Sequence, residues 1–237
     1  KPVNGHAIEH AWQGPSQCEH CGIRHLVLFS ALEKDEFALI HDPIDEISFH
    51  KGKRLYREGG EPRHVFTVRE GAVKLVHYLS DGSERIVRLL LPGDVAGLEA
   101  LLDLPYQHEA VVIDAALTCR IPVRTVNNLS RDLPHFHHQL MTRWQQAVNA
   151  ADNWLTELGT GPAKARVARL LLRFAETTPD HSCFMPTRED MGAMLGVSTE
   201  TVSRITADFK RAGHLAYIAP HRARVDTDIM RELAEEC

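Results

Sequence analysis

The 237-residue sequence lacks any run of eighteen apolar residues, so no segment of it is expected to cross a membrane as a helix. Its first residues, Lys-Pro-Val-Asn-Gly-His, lack the charged-then-apolar order of a secretion signal. The five cysteines are odd in number and have no disulfide-like spacing, which favours a reducing compartment where thiols act as ligands or sensors. These absences predict a cytoplasmic protein that does not contact a membrane.

The common catalytic motifs are also missing. There is no Gly-rich phosphate loop, no GxSxG and no HExxH, and the paired acids Glu235 and Glu236 lie in a polar tail. We therefore expect no enzymatic activity.

Positive charge is scarce over the whole chain but concentrated in one part of it. The net charge of −5 argues against non-specific binding to nucleic acid. Residues 163–225, however, hold ten Lys and Arg against six Asp and Glu, a net of +4, whereas residues 1–162 carry a net of −5. This asymmetry supports a carboxyl-terminal domain that faces DNA.

A composition of 43% hydrophobic and 25% charged residues is typical of soluble globular proteins, and the length suits two domains. Over residues 44–123, short apolar or alternating runs are punctuated by glycines, which is an all-β pattern. Two of these runs flank a Ser-Asp-Gly-Ser turn at residues 80–83, a strong hairpin signal. A compact β-roll is therefore predicted within an amino-terminal domain of residues 1–132.

A long amphipathic helix is predicted over residues 134–158, within a central segment of residues 133–160. Its apolar side chains recur at spacings of three and four over about six turns, as in a coiled coil. The expected dimer contacts are Leu140, Trp144, Ala147, Ala151, Leu155 and Leu158. The alternative is that the helix packs on its own barrel. Gly-Thr-Gly-Pro at residues 159–162 then marks a hinge, after which another helix is expected over residues 163–177.

Two short helices that meet at a glycine are predicted within the carboxyl-terminal domain, residues 161–237. Thr187 and Asp190 form a capping-box pattern that starts the first helix. Gly196 supplies the backbone freedom for a sharp turn, and Ser198 is a second N-cap. The second helix reaches to about residue 212, which makes the pair a helix-turn-helix.

The second helix has one polar and one apolar face. In a helix-turn-helix the amino-terminal part of this helix lies in the major groove, where Arg pairs with guanine acceptors and Glu accepts from a cytosine amine. The predicted DNA contacts are Ser198, Thr199, Glu200, Thr201, Ser203 and Arg204. The predicted inward residues are Val202, Ile205, Ala207 and Phe209. An ordinary helical hairpin with solvated polar residues is the alternative.

Beyond the second helix, two short β-runs flank a Pro220-His-Arg turn and predict a wing. Its Arg222 and Arg224 are placed to meet phosphate.

The predicted order of a β-roll, a long central helix and a winged helix-turn-helix, an α+β architecture, resembles the Crp/Fnr superfamily of transcription regulators. Three passages carry the resemblance, which is strongest to the Fnr branch: residues 91–97, 117–122 and 196–204. It implies a homodimer that reads a palindrome of TTGAT-like half-sites through Glu200, Ser203 and Arg204. It also implies RNA polymerase as a partner. Thr199 stands where the Crp branch has an Arg, which makes a Crp-type site less expected.

The same resemblance raises the question of what the roll senses. Cyclic-nucleotide receptors of the superfamily hold the cyclic phosphate with an Arg-Ser pair, and the corresponding residues 97–109 contain no Arg. Because a buried phosphate without a guanidinium partner is poorly compensated, cyclic AMP is not the expected ligand.

Cysteine side chains are another candidate for the sensing site. Cys18, Cys21 and Cys119 align with three of the four cysteines that hold an oxygen-labile [4Fe-4S] cluster in Fnr. The fourth position is Val27, which cannot ligate iron. The resemblance thus implies a redox, oxygen or nitric-oxide-type signal with an incomplete set of iron–sulfur ligands.

Other sensors stay open. His20 and His25 are the nearest substitute ligands, and they would also complete a Cys3His zinc site. The thiols alone would make a redox switch. Haem is a further alternative, and the obvious histidine cluster consists of His135, His137 and His138. Cys183 and Cys237 are expected to be structural or incidental. The competing functional class is a non-enzymatic ligand- or redox-binding module, with haem or zinc, whose helix-turn-helix contacts protein.

Overall fold

The computed structural model describes residues 28–33, 35–176, 178 and 180–235. The chain divides into two compact units. One consists of Lys1–Val76 and Leu89–Asn149, and the other of His77–Arg88 and Ala150–Cys237.

An antiparallel β-roll makes up most of the first unit, and the end of its β3–β4 hairpin, His77–Arg88, is counted with the second. Six strands form its sheet, in the order β1-β6-β3-β4, with β2 on β6 and β5 on β3. The strands are β1 (Asp45–Phe49), β2 (Arg54–Tyr56), β3 (His64–Tyr78), β4 (Glu84–Leu90), β5 (Val95–Ala96) and β6 (Glu109–Pro122). This confirms the predicted roll, including the hairpin between β3 and β4 at the Asp-Gly turn.

Strand β6 is the centre of the roll. It pairs with β3 along its length and with β1 over residues 116–120, so that Cys119 lies opposite Glu46 on one side and Thr67 on the other. Fully buried Val65, Val68 and Val73 on β3 contribute to the core. Short 3-10 turns at Leu28–Ala31, Glu36–Leu39 and Leu98–Leu102 border the strands.

Two helices follow the roll, α1 (Val123–Asp132) and α2 (Pro134–Asn153). Arg124 and Thr125 of α1 both donate hydrogen bonds to the carboxylate of Asp42, just before β1. The first half of α2 is held by the turn at Leu28–Ala31. Phe29 stacks on Phe136, with ring centroids 5.9 Å apart.

The central helical stretch reaches Leu158, as predicted, but its last five residues are not α-helical. The α-helix stops at Asn153, and residues Trp154–Leu158 continue as a π-helical turn. Trp154 is buried there, with the guanidinium of Arg173 5.9 Å from its ring centroid.

Beyond the π-helical turn, the described residues of the second unit include four α-helices and a small sheet. The helices are α3 (Ala163–Ala175), α4 (Arg188–Leu195), α5 (Thr199–Arg211) and α6 (Thr227–Glu235). The strands are β7 (Ser182–Phe184), β8 (Leu215–Ala219) and β9 (Arg222–Val225), in the order β7-β9-β8. The sequence predicted the ribbon of β8 and β9 but missed β7, because three residues are too few to show an alternating pattern.

Strand β7 carries Cys183, which is fully buried. Burial raises the pKa of its thiol to about 11, so the thiolate is suppressed and the residue acts as a small apolar side chain. This agrees with the structural role expected for it. Among the described helices, none combines the length and apolar character that crossing a bilayer requires.

Candidate nucleic-acid interface

Helix α4 begins with the predicted cap. The hydroxyl of Thr187 accepts a hydrogen bond from the backbone N–H of Asp190, 3.0 Å away, and donates to the carboxylate of the same residue at 2.9 Å. This cap satisfies one of the free amides of the first helical turn. It fixes where α4 starts and thus where the next turn falls.

The turn between α4 and α5 depends on two glycines. Gly196 ends α4 in the left-handed region, with φ of 65°, as its predicted role requires. Gly192 allows a close approach that the sequence did not indicate, because a Cβ there would lie 2.7 Å from the carbonyl oxygen of Val197. The guanidinium of Arg166, on α3, donates to the carbonyl oxygen of Leu195 at 2.6 Å and secures the end of α4.

Helix α5 begins with a second cap. The Ser198 hydroxyl accepts from the backbone N–H of Thr201 at 3.2 Å and lies 3.1 Å from the Thr201 hydroxyl. Hydrogen bonds from its own backbone N–H and from the Ser198 hydroxyl lower the pKa of Glu200. At neutral pH Glu200 is therefore an ionised acceptor, placed in the first turn where the helix dipole favours negative charge.

The two faces of α5 differ sharply in exposure. Thr199, Glu200, Ser203 and Arg204 are all exposed, and Ser198 is exposed beside them, while Thr201 is half-buried. The opposite face buries Val202, Ile205, Thr206 and Phe209.

One predicted inward residue is wrong. Ala207 is exposed, and the buried position belongs to Thr206, whose hydroxyl donates to the Val202 carbonyl at 2.8 Å. That internal hydrogen bond allows a polar side chain to take a buried position.

The wing contacts both helices of the pair through one residue that the sequence analysis missed. Tyr217 of β8 accepts a hydrogen bond from the guanidinium of Arg188, the first residue of α4. The Lys210 ammonium of α5 lies 5.8 Å from the centroid of the same ring. Arg188, Lys210 and Tyr217 thus form a cluster. In the sequence, only the position of Arg188 directly after the helix cap pointed to it.

Some cations of this unit are paired with carboxylates and others are not. Arg173, Arg211 and Arg231 each form an ion pair with a carboxylate. Within the described part of the chain, no carboxylate pairs with Arg188, Arg204, Lys210 or Arg224. All four of these cations lie on α4, α5 or the wing, so these elements carry uncompensated positive charge.

The structure removes two residues from the predicted dimer contacts. Leu140 is 4% exposed and Leu158 is 1% exposed, because both side chains turn into the protein itself. Trp144, Ala147 and Ala151 are partly exposed and Leu155 is 69% exposed. Two residues that the sequence analysis missed, Met141 and Val148, are each 44% exposed.

Five of the exposed apolar positions of the central helix follow a regular spacing. Met141, Trp144, Val148, Ala151 and Leu155 follow one another at alternating spacings of three and four. This is the repeat of a coiled-coil seam. We call it the central seam.

Most of the predicted metal ligands lie outside the described residues, namely Cys18, His20, Cys21 and His25, and so do Val27 and Cys237. Cys119 is described, and its side chain is buried. Over the part of the chain that is described, no three His, Cys, Asp or Glu side chains come together as a metal site.

The three histidines considered for haem are exposed on the first turns of α2. His135 lies 3.0 Å from the carboxylate of Glu36, and His137 lies 2.8 Å from the Ser130 hydroxyl. Two of the three thus contact neighbouring surface groups.

A capped pair of helices with a glycine turn, an exposed polar face on the second helix and an adjoining wing define a DNA-binding protein of the winged helix-turn-helix class. The roll and the helix-turn-helix each match a family model. Residues 46–132 match the cyclic nucleotide-binding domain, and residues 165–231 match the Crp-like helix-turn-helix domain.

Similar proteins agree with this assignment over most of the chain. The chain is 26% identical over 224 residues to the fumarate and nitrate reduction regulatory protein of Escherichia coli K12, covering 92% of this chain and 90% of that protein. The structure of FixK2 from Bradyrhizobium japonicum superposes with a TM-score of 0.73 at 25% identity, covering 82% of this chain and 98% of that one. A Crp/Fnr-family transcriptional regulator from Thermus thermophilus gives a TM-score of 0.65 at 25% identity, covering 81% and 98%. The chain therefore belongs to the Crp/Fnr family and is a DNA-binding transcription regulator.

Proposed function

We propose that the protein binds, as a homodimer, a palindromic DNA site with TTGAT-type half-sites. The observation that carries this proposal is the exposed polar face at the amino-terminal end of α5, which consists of Thr199, Glu200, Ser203 and Arg204. The buried opposite face fixes the direction in which these side chains point.

A TTGAT half-site contains one G·C pair, and two side chains of α5 are complementary to it. Arg204, which no described carboxylate pairs, is free to donate two hydrogen bonds to guanine O6 and N7. The ionised Glu200 is an acceptor for the amine of the paired cytosine. Ser203 lies between them on the same face.

Binding to labelled duplexes tests this proposal. Anisotropy titrations at moderate salt would compare the TTGAT palindrome with a duplex in which the G·C pair of each half-site is replaced by A·T. Arg204→Ala should cost about 1–3 kcal/mol per half-site on the palindrome and little on the replaced duplex. Arg211→Ala is the matched control, because that exposed guanidinium is already paired with Asp208. If the wild-type protein shows no preference for the palindrome, the alternative of a helix-turn-helix used for protein contact is favoured.

Dimerisation is proposed through the central seam. A helix-turn-helix reader engages two half-sites about one helical turn apart, which calls for two recognition helices related by a two-fold axis. Paired central helices would supply that axis, with Met141, Val148 and Leu155 facing the partner. RNA polymerase is the further partner that we propose for a regulator of this family.

For the signal, we propose that Cys18, Cys21 and Cys119 form the sensing site for a redox, oxygen or nitric-oxide-type stimulus. These thiols supply three donors, and an oxygen-labile iron–sulfur cluster would need a fourth from His20 or His25, since Val27 has none. The described residues that follow the cysteine-bearing segment pack on the central helix: Ser30 accepts from Gln139 at 2.9 Å and from Arg143 at 3.4 Å. A change near the cysteines would therefore reach the helix that carries the seam.

A cyclic nucleotide is not the ligand that we propose. Glu109, at the end of the segment that holds the phosphate in cyclic-nucleotide receptors, is 8% exposed and carries a carboxylate. Arg54 of β2 is the nearby cation, and it is paired with Glu109. A cyclic phosphate placed there would meet a buried negative charge and a guanidinium that is already engaged.

The anaerobic absorption spectrum of freshly purified protein, with iron and sulfide assays, tests the sensing site. Broad visible absorption that air bleaches would support the cluster, and its loss in Cys119→Ser would place it. A sharp Soret band would instead indicate haem. If the protein is colourless and metal-free, and oxidants leave its affinity for DNA unchanged, the proposed thiol sensor is wrong.

A further inference from the structure

Three elements meet at Tyr217, on the strand that leads into the wing. Arg188 is the first residue of α4, Lys210 lies near the end of α5, and Tyr217 is in β8. The Tyr217 side chain remains accessible, with 41% of the residue exposed. The cluster is therefore open to a ligand from solvent.

The ring of Tyr217 holds both cations in place. Arg188 donates a hydrogen bond to the phenolic oxygen, and its guanidinium carbon lies 5.9 Å from the ring centroid. The Lys210 ammonium lies 5.8 Å from the same centroid. Both distances fall within the range of cation–π attraction, and a fixed geometry reduces the entropy cost of binding a further group.

The charge at this cluster is not balanced by any carboxylate that the structure describes. No carboxylate pairs with Arg188 or Lys210 in the described residues, although neighbouring Arg211 pairs with Asp208 and Arg231 pairs with Asp228. Two cations that share one aromatic ring repel each other, and an anion between or beside them would relieve that repulsion. The geometry thus favours an anionic ligand.

The position of the cluster on α5 indicates that its ligand is the sugar-phosphate backbone and not a base. Lys210 lies ten residues beyond Glu200 on α5, which corresponds to about 15 Å along a helix. A side chain that far from the base-contacting end of α5 does not share a base pair with Glu200, and the anions that a duplex offers outside the base edges are its backbone phosphates. The anion at that place would be a phosphodiester.

We propose that Arg188, Lys210 and Tyr217 form a phosphodiester-binding site where the wing joins the helix-turn-helix, with Tyr217 as the positioning residue for both cations. This inference rests on the proposed DNA binding. In this proposal the cluster binds DNA of any sequence, whereas the amino-terminal face of α5 distinguishes one DNA sequence from another.

The salt dependence of binding tests the site. Anisotropy titrations across a series of salt concentrations would use the TTGAT palindrome and a scrambled duplex of the same length. Lys210→Ala removes one phosphate contact per protomer, so the dimer should lose about 1.8 from the slope of log affinity against log salt on both duplexes. Tyr217→Phe keeps the ring but removes the acceptor for Arg188, and we expect about a fivefold loss of affinity, again on both duplexes.

Arg211→Ala is the control, since it deletes an adjacent α5 cation whose charge is already balanced, and its slope should match that of the wild type. A wild-type slope in Lys210→Ala would overturn the proposal, and so would a loss confined to the palindrome, which would indicate a base contact. Equal thermal melting of the variants and the wild type would show that each variant is folded. If the wild type has no preference for the palindrome but Lys210→Ala still flattens the slope, the proposed half-site is wrong and the phosphate site stands.

Discussion

Replacing Val148 with Asp should abolish dimerisation if the central seam is the interface. Val148 lies near the middle of the seam, where a two-fold axis would bring it close to the same residue of a second copy. Two carboxylates would then face each other in an apolar contact, and each would be desolvated without a partner.

The free energy at stake follows from the exposure of the seam. Met141 and Val148 are each 44% exposed and Leu155 is 69% exposed. Together these fractions amount to roughly one and a half apolar side chains per protomer, for which complete burial contributes about 2–5 kcal/mol, and twice that in a symmetric dimer. The loss of Val148 and the burial of two charges would remove most of this contribution.

Sedimentation velocity over a series of protein concentrations measures the outcome. Wild-type protein should sediment as a dimer at micromolar concentration, and Val148→Asp as a monomer. Asn149→Asp is the matched control, because it adds the same charge at an exposed position about 100° around the helix. If Val148→Asp remains dimeric to the same dilution as the control, the seam is not the interface.

Two further predictions concern stability. Gly192→Ala should destabilise the protein by about 1–3 kcal/mol in urea unfolding, because the new Cβ would lie 2.7 Å from the Val197 carbonyl oxygen; helix propensity alone would favour Ala, so a stabilised variant would contradict the close approach. Burial acts to raise the pKa of Asp42, but hydrogen bonds from Arg124 and Thr125 and the charge of Arg124 outweigh it and hold that pKa below its ordinary value. Asp42→Asn should therefore lower unfolding stability at pH 7, and its difference from the wild type should shrink as the pH falls below about 4 and the wild-type carboxyl is protonated. An equal difference at pH 7 and pH 3 would show that the charge of Asp42 does not stabilise the fold.

Local chemistry made the helix-turn-helix predictable from the sequence. Thr187, Gly196 and Ser198 each act on the backbone within a few residues of themselves, and the structure places each in its expected role. The Asp-Gly turn between β3 and β4 was predictable for the same reason. A cap or a tight turn is decided by the residues that form it, so one sequence is enough to read it.

Burial in the central helix was harder to predict because it depends on distant residues. Apolar residues at spacings of three and four occur on both the inner and the outer face of the helix. The spacing alone therefore does not show which face packs against the rest of the same chain. Leu140 lies on the inner face, whereas Met141, one residue later, is exposed on the seam. The cluster of Arg188, Lys210 and Tyr217 was missed for a similar reason, since it joins residues that are up to 29 positions apart.

A net charge of −5 would oppose DNA binding if charge acted only as a total. An approaching duplex interacts mainly with charges close to it, because at physiological salt the screening length is about 8 Å. Arg211 and Arg231 each pair with a carboxylate, so their positive charge is neutralised within the protein. Arg188, Arg204, Lys210 and Arg224, which no described carboxylate balances, lie on α4, α5 and the wing. An acidic protein thereby presents uncompensated positive charge on the elements that hold its recognition helix, and the acidic remainder disfavours binding of DNA in other orientations.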